Sequence, residues 1–407
     1  MLIGRFKYSD RIIKGIGDKY VVLHNINNAQ SVRITKELFN IIDNMCTKKI
    51  EVENILHMCE TEEDKMYFCE KCESLLDKSI LRKEADNSEY EKLDLEIDLD
   101  ITNKCNLKCK HCCVDANIQS LDLDKEAMFQ IIDKIVETNP SAINISGGEP
   151  LVRKDFVEII CHLKEKYKGK LFLMTNAILI DFEMAKFIVQ NFNGVSVSLD
   201  GVDEKTCAAV RGEGTFEKTM KGIENLNKAG VEFLSASMVL TKLTANKRKE
   251  FKEICEKINA MPMCRVLSLD GRASKEMLEL IPTDEEVVAG RLDEHDNPMP
   301  FSCTAASKRY QIDYQGNLFP CQSLMFEDYK LGNVLEIESL FDFIRKREVI
   351  KTKGYTRLEK LFPENLKSCK GCKNHIFCFT CLRGIHYNMA EIEKCCRDCV
   401  SFEKYFE

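Results

Sequence analysis

Hydrophobic and polar positions change their period along the chain. Near the start, residues 19–25 (KYVVLHN) and 30–34 (QSVRI) alternate as short strands around a polar turn, HNINN. Thr35 is a good N-cap for a helix over 36–45, where Leu38, Ile41 and Ile42 fall at helical spacing. Residues 52–59 and 62–78 read as two further amphipathic helices. A small sheet followed by three helices predicts a winged-helix-like unit over 1–85. Residues 86–94 are polar, apolar-poor and read as a linker.

Beyond the linker the pattern becomes repeated strand–helix units. Strands are predicted at 95–101, 142–146, 170–175, 194–199, 232–239 and 264–268, and helices at 122–138, 154–166, 181–191, 216–229 and 247–259. Alternating β and α implies a parallel sheet with helices on its outer face. The fold class is therefore α/β: a partial, TIM-like (β/α)6 barrel over 95–285, with polar chemistry expected at the carboxyl ends of its strands. Residues 286–407 are irregular and cysteine-rich, and form a third domain in this reading.

Composition narrows the function. The chain has 407 residues, 44% apolar and 31% charged, which is globular. No apolar run approaches the roughly 20 residues of a membrane helix, and the charged start (Arg5, Lys7, Arg11) lacks a signal-peptide core, so a cytoplasmic protein without membrane contact is expected. Net charge −7, with basic and acidic residues balanced in the first 85, argues against nucleic acid as a partner. There are 21 cysteines and no tryptophan. Thiols stay reduced in the cytosol, so this density points to metal rather than disulfides. The scattered Cys46, Cys59, Cys69, Cys72, Cys161, Cys207, Cys255 and Cys264 read as small buried hydrophobes.

Residues 101–113 read ITNKCNLKCKHCC, placing Cys105, Cys109 and Cys112 in C-x3-C-x2-C at the end of the first barrel strand. Three thiolates on one loop can hold three irons of a [4Fe-4S] cluster and leave the fourth without a protein ligand. A structural zinc site wants a fourth ligand, for which only Cys113 or His111 is at hand. Gly147-Gly148-Glu149-Pro150 ends the second strand, Thr175-Asn176 the third, and Ser198-Leu199-Asp200-Gly201 the fourth, with Arg211-Gly212 following. Read alone, the two glycines allow close approach of a ligand to the backbone, and Glu149 offers acceptors to a cation.

These motifs resemble the radical S-adenosylmethionine (SAM) enzymes from about residue 95 onward. The resemblance implies that the cluster's open iron chelates SAM. It places His111 beside the adenine, Gly147, Gly148, Glu149 and Pro150 at the SAM amino group, Ser198 and Arg211 at its carboxylate, and Asn176 and Asp200 in the same pocket. Cys113 stands where an aromatic residue is common, and Ala177 where a glycine is usual. The second cysteine set begins with Cys303 and a hairpin, QIDYQGNLFPC, ending in Cys321. Cys369, Cys372, Cys378, Cys381 and Cys399 follow. Bare C-x2-C pairs suit a zinc ribbon equally. In context they resemble the SPASM extension, with two auxiliary [4Fe-4S] clusters and hence three in all. One would take Cys369, Cys372, Cys378 and Cys399. The other would take Cys303, Cys321 and Cys381, leaving an iron open to a substrate thiolate, unless Cys395 or Cys396 fills that place or replaces Cys399.

By the same resemblance, the reaction starts from a 5′-deoxyadenosyl radical and draws on a flavodoxin- or ferredoxin-type electron donor. Residues 1–85 resemble the PqqD-like domains that bind leader peptides of ribosomally made precursors by strand addition, with residues 21–24 as the candidate edge. The leading expectation is a maturase that installs thioether crosslinks in such a peptide. Alternatives are carbon–carbon crosslinking, a sulfatase-maturase-like oxidation, and a non-catalytic zinc protein. Gln322 stands where sulfatase maturases carry an aspartate base.

Overall fold

The computed structural model describes residues 2–84, 94–283, 302–369, 372, 375 and 381–388. The N-terminal unit contains β1 (Phe6–Tyr8), β2 (Ile12–Ile16), β3 (Tyr20–Asn25), β4 (Gln30–Thr35), α1 (Lys36–Thr47), α2 (Val52–Met58), α3 (Glu62–Asp77) and β5 (Leu81–Lys83). Thr35 caps α1 by accepting from the Leu38 amide, and Thr61 caps α3 by accepting from that of Asp64. The buried face of α1 carries Leu38, Phe39, Ile42 and Met45, each worth about 1.5–3 kcal/mol of transfer free energy.

β2, β3 and β4 form an antiparallel sheet in that order, and β1 pairs with β5. This corrects the expected docking edge. Residues 21–24 lie in the central strand, paired to β2 on one side and β4 on the other, so their backbone groups are already used. The sequence shows why: β3 is buried from Val21 to Asn25, as a strand with neighbours on both sides should be.

The barrel follows as β6 (Glu96–Asp100), α4 (Lys125–Glu137), β7 (Ala142–Ser146), α5 (Phe156–Lys166), β8 (Lys170–Thr175), α6 (Phe182–Asn191), β9 (Gly194–Ser198), α7 (Glu204–Arg211), α8 (Thr215–Ala229), β10 (Leu234–Leu240), α9 (Arg248–Lys257), β11 (Met261–Val266) and α10 (Ala273–Glu276). β6 to β11 lie side by side, all parallel. The last strand begins three residues earlier than its apolar run suggested, because Met261, Pro262 and Met263 pair with β10. α7 is an element that periodicity missed. It is a short helix set by a capping box between Asp203 and Thr206.

The C-terminal part contributes β12 (Arg309–Ile312), β13 (Asn317–Phe319), β14 (Gly332–Asn333), α11 (Leu340–Arg345), α12 (Lys353–Glu359) and α13 (Leu382–Asn388). Its hairpin turns at Gly316, φ 80°. β12 runs parallel to β6, so the hairpin extends the barrel sheet to nine strands in the order β11-β10-β9-β8-β7-β6-β12-β13-β14. The N-terminal unit is tied to the same body. Ile13, Val22 and Ile26 belong to the barrel's core cluster. Arg11 donates to Ala305 O (2.9 Å) and Ser307 Oγ (3.0 Å) and lies 4.4 Å from the Phe362 ring centroid. No helix among the described residues is long and apolar enough to cross a membrane.

Candidate active site

The loop after β6 carries Cys105, Cys109, His111, Cys112 and Cys113. The GGEP turn after β7 fixes it. Gly148 N donates to Thr102 O (2.9 Å) and Glu149 N to Lys104 O (2.8 Å). A Cβ on Gly147 would lie 2.2 Å from Thr102 O, and one on Gly148 2.3 Å from Lys104 O. The glycines therefore admit the backbone of the cysteine loop. Glu149 is buried with its carboxylate occupied. It accepts from Thr175 Oγ1 (2.8 Å), Asn176 N (2.7 Å) and Leu151 N (3.2 Å). Burial pushes its carboxyl up, and these bonds and the Arg211 charge offset part of that. It straps strand ends together, while Pro150, also buried, starts the short turn that follows.

Asn176 donates through Nδ2 to Asn106 Oδ1 (2.8 Å), reaching across to the cysteine loop. Ala177 adopts φ 61°, the left-handed region that favours glycine. Ser198 ends β9, half-buried, and Asp200 follows in a buried position. Asp200 Oδ2 accepts from Arg211 Nε (2.6 Å) and stands 2.9 Å from His111 Nε2, while Val239 N donates to Oδ1 (2.6 Å). Burial alone would raise Asp200; Arg211 and His111 outweigh it and hold the carboxyl well below its usual range. Arg211 also points Nη1 at Cys109 Sγ, 3.9 Å away. His111 Nδ1 is buried without a hydrogen-bond partner among the described residues.

Burial pushes Cys105 up to about 11, with the Cys109 and Cys112 charges adding to it, and burial raises Cys109 as well. Leu107 N donates to Cys105 Sγ (3.4 Å) and Ala116 N to Cys112 Sγ (3.3 Å). Amide donors and an arginine around three thiols are what a cluster sharing negative charge requires. Among the described residues no three ligating groups converge on a point the size of one metal ion. A cluster with the orphaned imidazole beside it fits the donors better than zinc. Sequence reasoning missed Gly271 and Arg272. Arg272 holds the loop through Cys109 O (2.7 Å) and Ala116 O (2.6 Å), and Gly271, φ 53°, lets its own backbone approach Cys112 O and Cys113 O. Their position after the sixth strand was the available signal. Cys113, expected to pack, is exposed. So are Cys161 and Cys264, because they lie on an outer helix face and on an edge strand.

At the second set, Cys303, Cys321 and Cys381 come together: both other thiols raise Cys321, after burial, to about 12. The backbone amides of Ser323 and Leu324 donate to its sulfur. Cys303 N donates to Ile26 O (3.2 Å), tying this set to the N-terminal unit. Cys369 and Cys372 share a turn, with Cys372 N donating to Cys369 O (3.0 Å). Cys378 and Cys399 lie outside the described residues.

Residues 99–255 match the radical SAM superfamily, and 303–373 match the iron-sulfur cluster-binding domain SPASM. The chain is 26% identical over 303 residues to the mycofactocin maturase MftC of Mycolicibacterium smegmatis, covering 69% of this chain and 75% of that protein. It is 28% identical over 218 residues to a Methanococcus maripaludis protein named "Probable GTP 3',8-cyclase", covering 53% of this chain and 72% of that one. In fold it resembles Streptococcus suis SuiB bound to S-adenosylmethionine, with TM-score 0.57, 17% identity, and 94% and 96% of the two chains covered. It also resembles anSMEcpe with bound AdoMet, with TM-score 0.52, 18% identity, and 76% and 99% covered. A C-x3-C-x2-C loop locked at the mouth of a parallel barrel, joined through one continuous sheet to a SPASM hairpin, makes this chain a radical SAM iron–sulfur enzyme.

Proposed function

We propose that this enzyme matures a ribosomally made peptide by joining a cysteine sulfur to a carbon of another residue. The observation that carries this reading is the Cys303, Cys321 and Cys381 set, in which the charges of Cys303 and Cys381 both act on the Cys321 thiol. A cluster held by three thiolates has an iron free for a substrate sulfur, a soft ligand for a soft site. Cys105, Cys109 and Cys112 would hold the SAM-cleaving cluster, with His111, Asn176, Ser198 and Arg211 around the SAM molecule. Bound there, the group supplies a hydrogen-atom acceptor strong enough for an unactivated C–H bond. The chain's own work is to hold the target carbon against that acceptor and keep water out.

Peptide as substrate is supported by the relatives. MftC is a maturase by name, and SuiB has been solved bound to its precursor peptide SuiA. The likeness to SuiB spans 94% of this chain, which takes in the N-terminal unit. That unit would bind the leader as a PqqD-like domain does, at β4. Of the two sheet edges, β4 exposes Gln30 and Arg33, whereas β2 gives Ile13 to the barrel core. A flavodoxin- or ferredoxin-type donor would supply electrons, and two SPASM clusters would bring the total to three. Gln322, an amide, disfavours the sulfatase-maturase alternative.

The test is anaerobic co-expression with the short cysteine-containing reading frame nearest the gene, followed by intact mass of the peptide. A loss of about 2 Da per crosslink, the two hydrogens removed, with loss of alkylatable thiol supports thioether formation. The same loss with thiols still free would shift the reading to carbon–carbon bonding. An unmodified peptide beside active SAM cleavage would contradict it.

A further inference from the structure

Inside the barrel, one buried carboxyl group faces two like charges. Along β6, Ile97, Leu99 and Ile101 pack into the hydrophobic core, so Asp98 and Asp100 take the opposite, inner face. In register with them on that face are Asn144 and Ser146 of β7 and Gln311 of β12. Further round, Phe172, Met174, Ser196 and Ser198 are only half-buried, so this face opens on the lumen. Asp100 is the last residue of β6, at the mouth. It is paired with Ser146, which directly precedes the GGEP turn.

Asp98 is fully served. It accepts from Arg309 Nε (2.7 Å) and Nη2 (2.9 Å) and from Asn144 Nδ2 (2.7 Å). Asp313 accepts from the amides of Gln315 and Asn317, at 2.9 and 2.8 Å, in the hairpin turn. Among the described residues, the hydrogen-bond partners acting on Asp100 are the neutral side chains of Gln311 and Ser146, and the charges of Asp98 and Asp313 face it. Gln311 Oε1, beside it, is buried without a hydrogen-bond partner among the described residues. The Cys113 thiol also feels the Asp100 charge. With burial and two like charges acting together, the Asp100 carboxyl is pushed up to about 8. The arrangement, a carboxyl at the barrel mouth with no cation paired to it among the described residues and an unused acceptor next to it, is built to hold and exchange a proton.

We propose that Asp100 is the catalytic group that takes the proton the substrate's thiol gives up in becoming the thiolate that bonds to iron and then to carbon. This rests on the peptide-crosslinking reading above. Joining S–H and C–H into S–C breaks two bonds and forms one. The carbon's hydrogen leaves as an atom to the cofactor. One electron passes to an iron–sulfur acceptor of the ferredoxin class. The sulfur's hydrogen leaves as a proton, which Asp100 accepts and later returns to water. The sequence concealed this residue because an aspartate in a β-strand reads as a surface position.

The test compares wild type, Asp100→Asn and Cys113→Ser, each reconstituted anaerobically. Because the native carboxyl carries its proton near neutrality, asparagine copies its shape and hydrogen bonds. The first readout is infrared absorption of the enzyme without SAM. A carboxylic-acid band should fade as pH rises through about 8 and be missing in Asp100→Asn; no such band overturns the proposal. The second readout is turnover of the co-encoded cysteine-containing peptide. In Asp100→Asn, 5′-deoxyadenosine formation should persist while crosslinked product falls about 100-fold, the lower range for a lost general base. The wild-type product rate should rise with pH to a midpoint near 8, as should that of Cys113→Ser, and the rise should vanish in Asp100→Asn. Equal loss of both products, or a variant with wild-type rate and profile, overturns the proposal. A peptide untouched by wild type sinks the peptide reading instead, and the infrared band still decides whether Asp100 holds the proton.

Discussion

A methyl group added to Gly148 would meet Lys104 O at 2.3 Å and Lys104 C at 2.8 Å, both backbone atoms of the cysteine loop. Backbone cannot swing aside as a side chain can. Gly148→Ala is therefore expected to displace the loop, abolish SAM cleavage and cost about 1–3 kcal/mol in anaerobic denaturation. Gly384→Ala is the contrast. No described residue lies within 4 Å of its added carbon, and it sits in α13. It should leave activity intact and gain up to about 1 kcal/mol from helix propensity.

Asp200 belongs to the same scale. Its carboxyl is held below its ordinary value, so the stability it contributes is present above the unfolded value of 3.8 and is lost as pH falls through the lower folded one. Asp200→Asn strands the buried Arg211 and should cost about 3–5 kcal/mol at neutral pH. The variant should also lose less stability on acidification than wild type, as measured by unfolding between pH 6 and 2. A parallel loss in both proteins would contradict this assignment of the charge. At this scale the cysteines and the GGEP turn were legible because their spacing is local. Asp100, Gln311 and Arg272 were not, since each gains its meaning from strands far away in sequence.

Among the elements, helices and strands with a single buried face were read within a few residues. The errors follow from pairing. β3 looked like an edge strand because one sequence cannot show that β2, with its short apolar alternation around Gly15, lies on its other side. The hairpin looked like part of a separate domain, yet β12 pairs with β6 across more than 200 residues. Between these elements Arg11 acts as a clamp. It holds Ala305 and Ser307, beyond the Cys303 turn, from the opposite end of the chain. Arg347 donates to Ala306 O (2.5 Å) from the other direction. Arg11→Ala should cost about 1–2 kcal/mol and raise amide hydrogen exchange over residues 303–307. Unchanged exchange there would show that Arg347 alone fixes the turn.

The whole molecule is more continuous than a string of three domains. Because Ile13, Val22 and Ile26 sit in the barrel's own core, the N-terminal unit is a wall of the enzyme as well as a proposed leader-binding site. Deleting residues 1–84 should therefore lower the Tm of the remainder, in addition to weakening peptide binding. A truncated enzyme with unchanged Tm would make the unit a mere appendage. The central claim, that the cofactor takes hydrogen from a carbon of a peptide so that sulfur can bond there, is tested most directly by isotope. The co-encoded peptide would be made with deuterium on carbon and turned over anaerobically by the reconstituted enzyme. The account predicts deuterium in 5′-deoxyadenosine, one transfer for each crosslink, with one thiol lost per transfer. A crosslinked peptide without deuterium in that product, or transfer with every thiol still free, would contradict it.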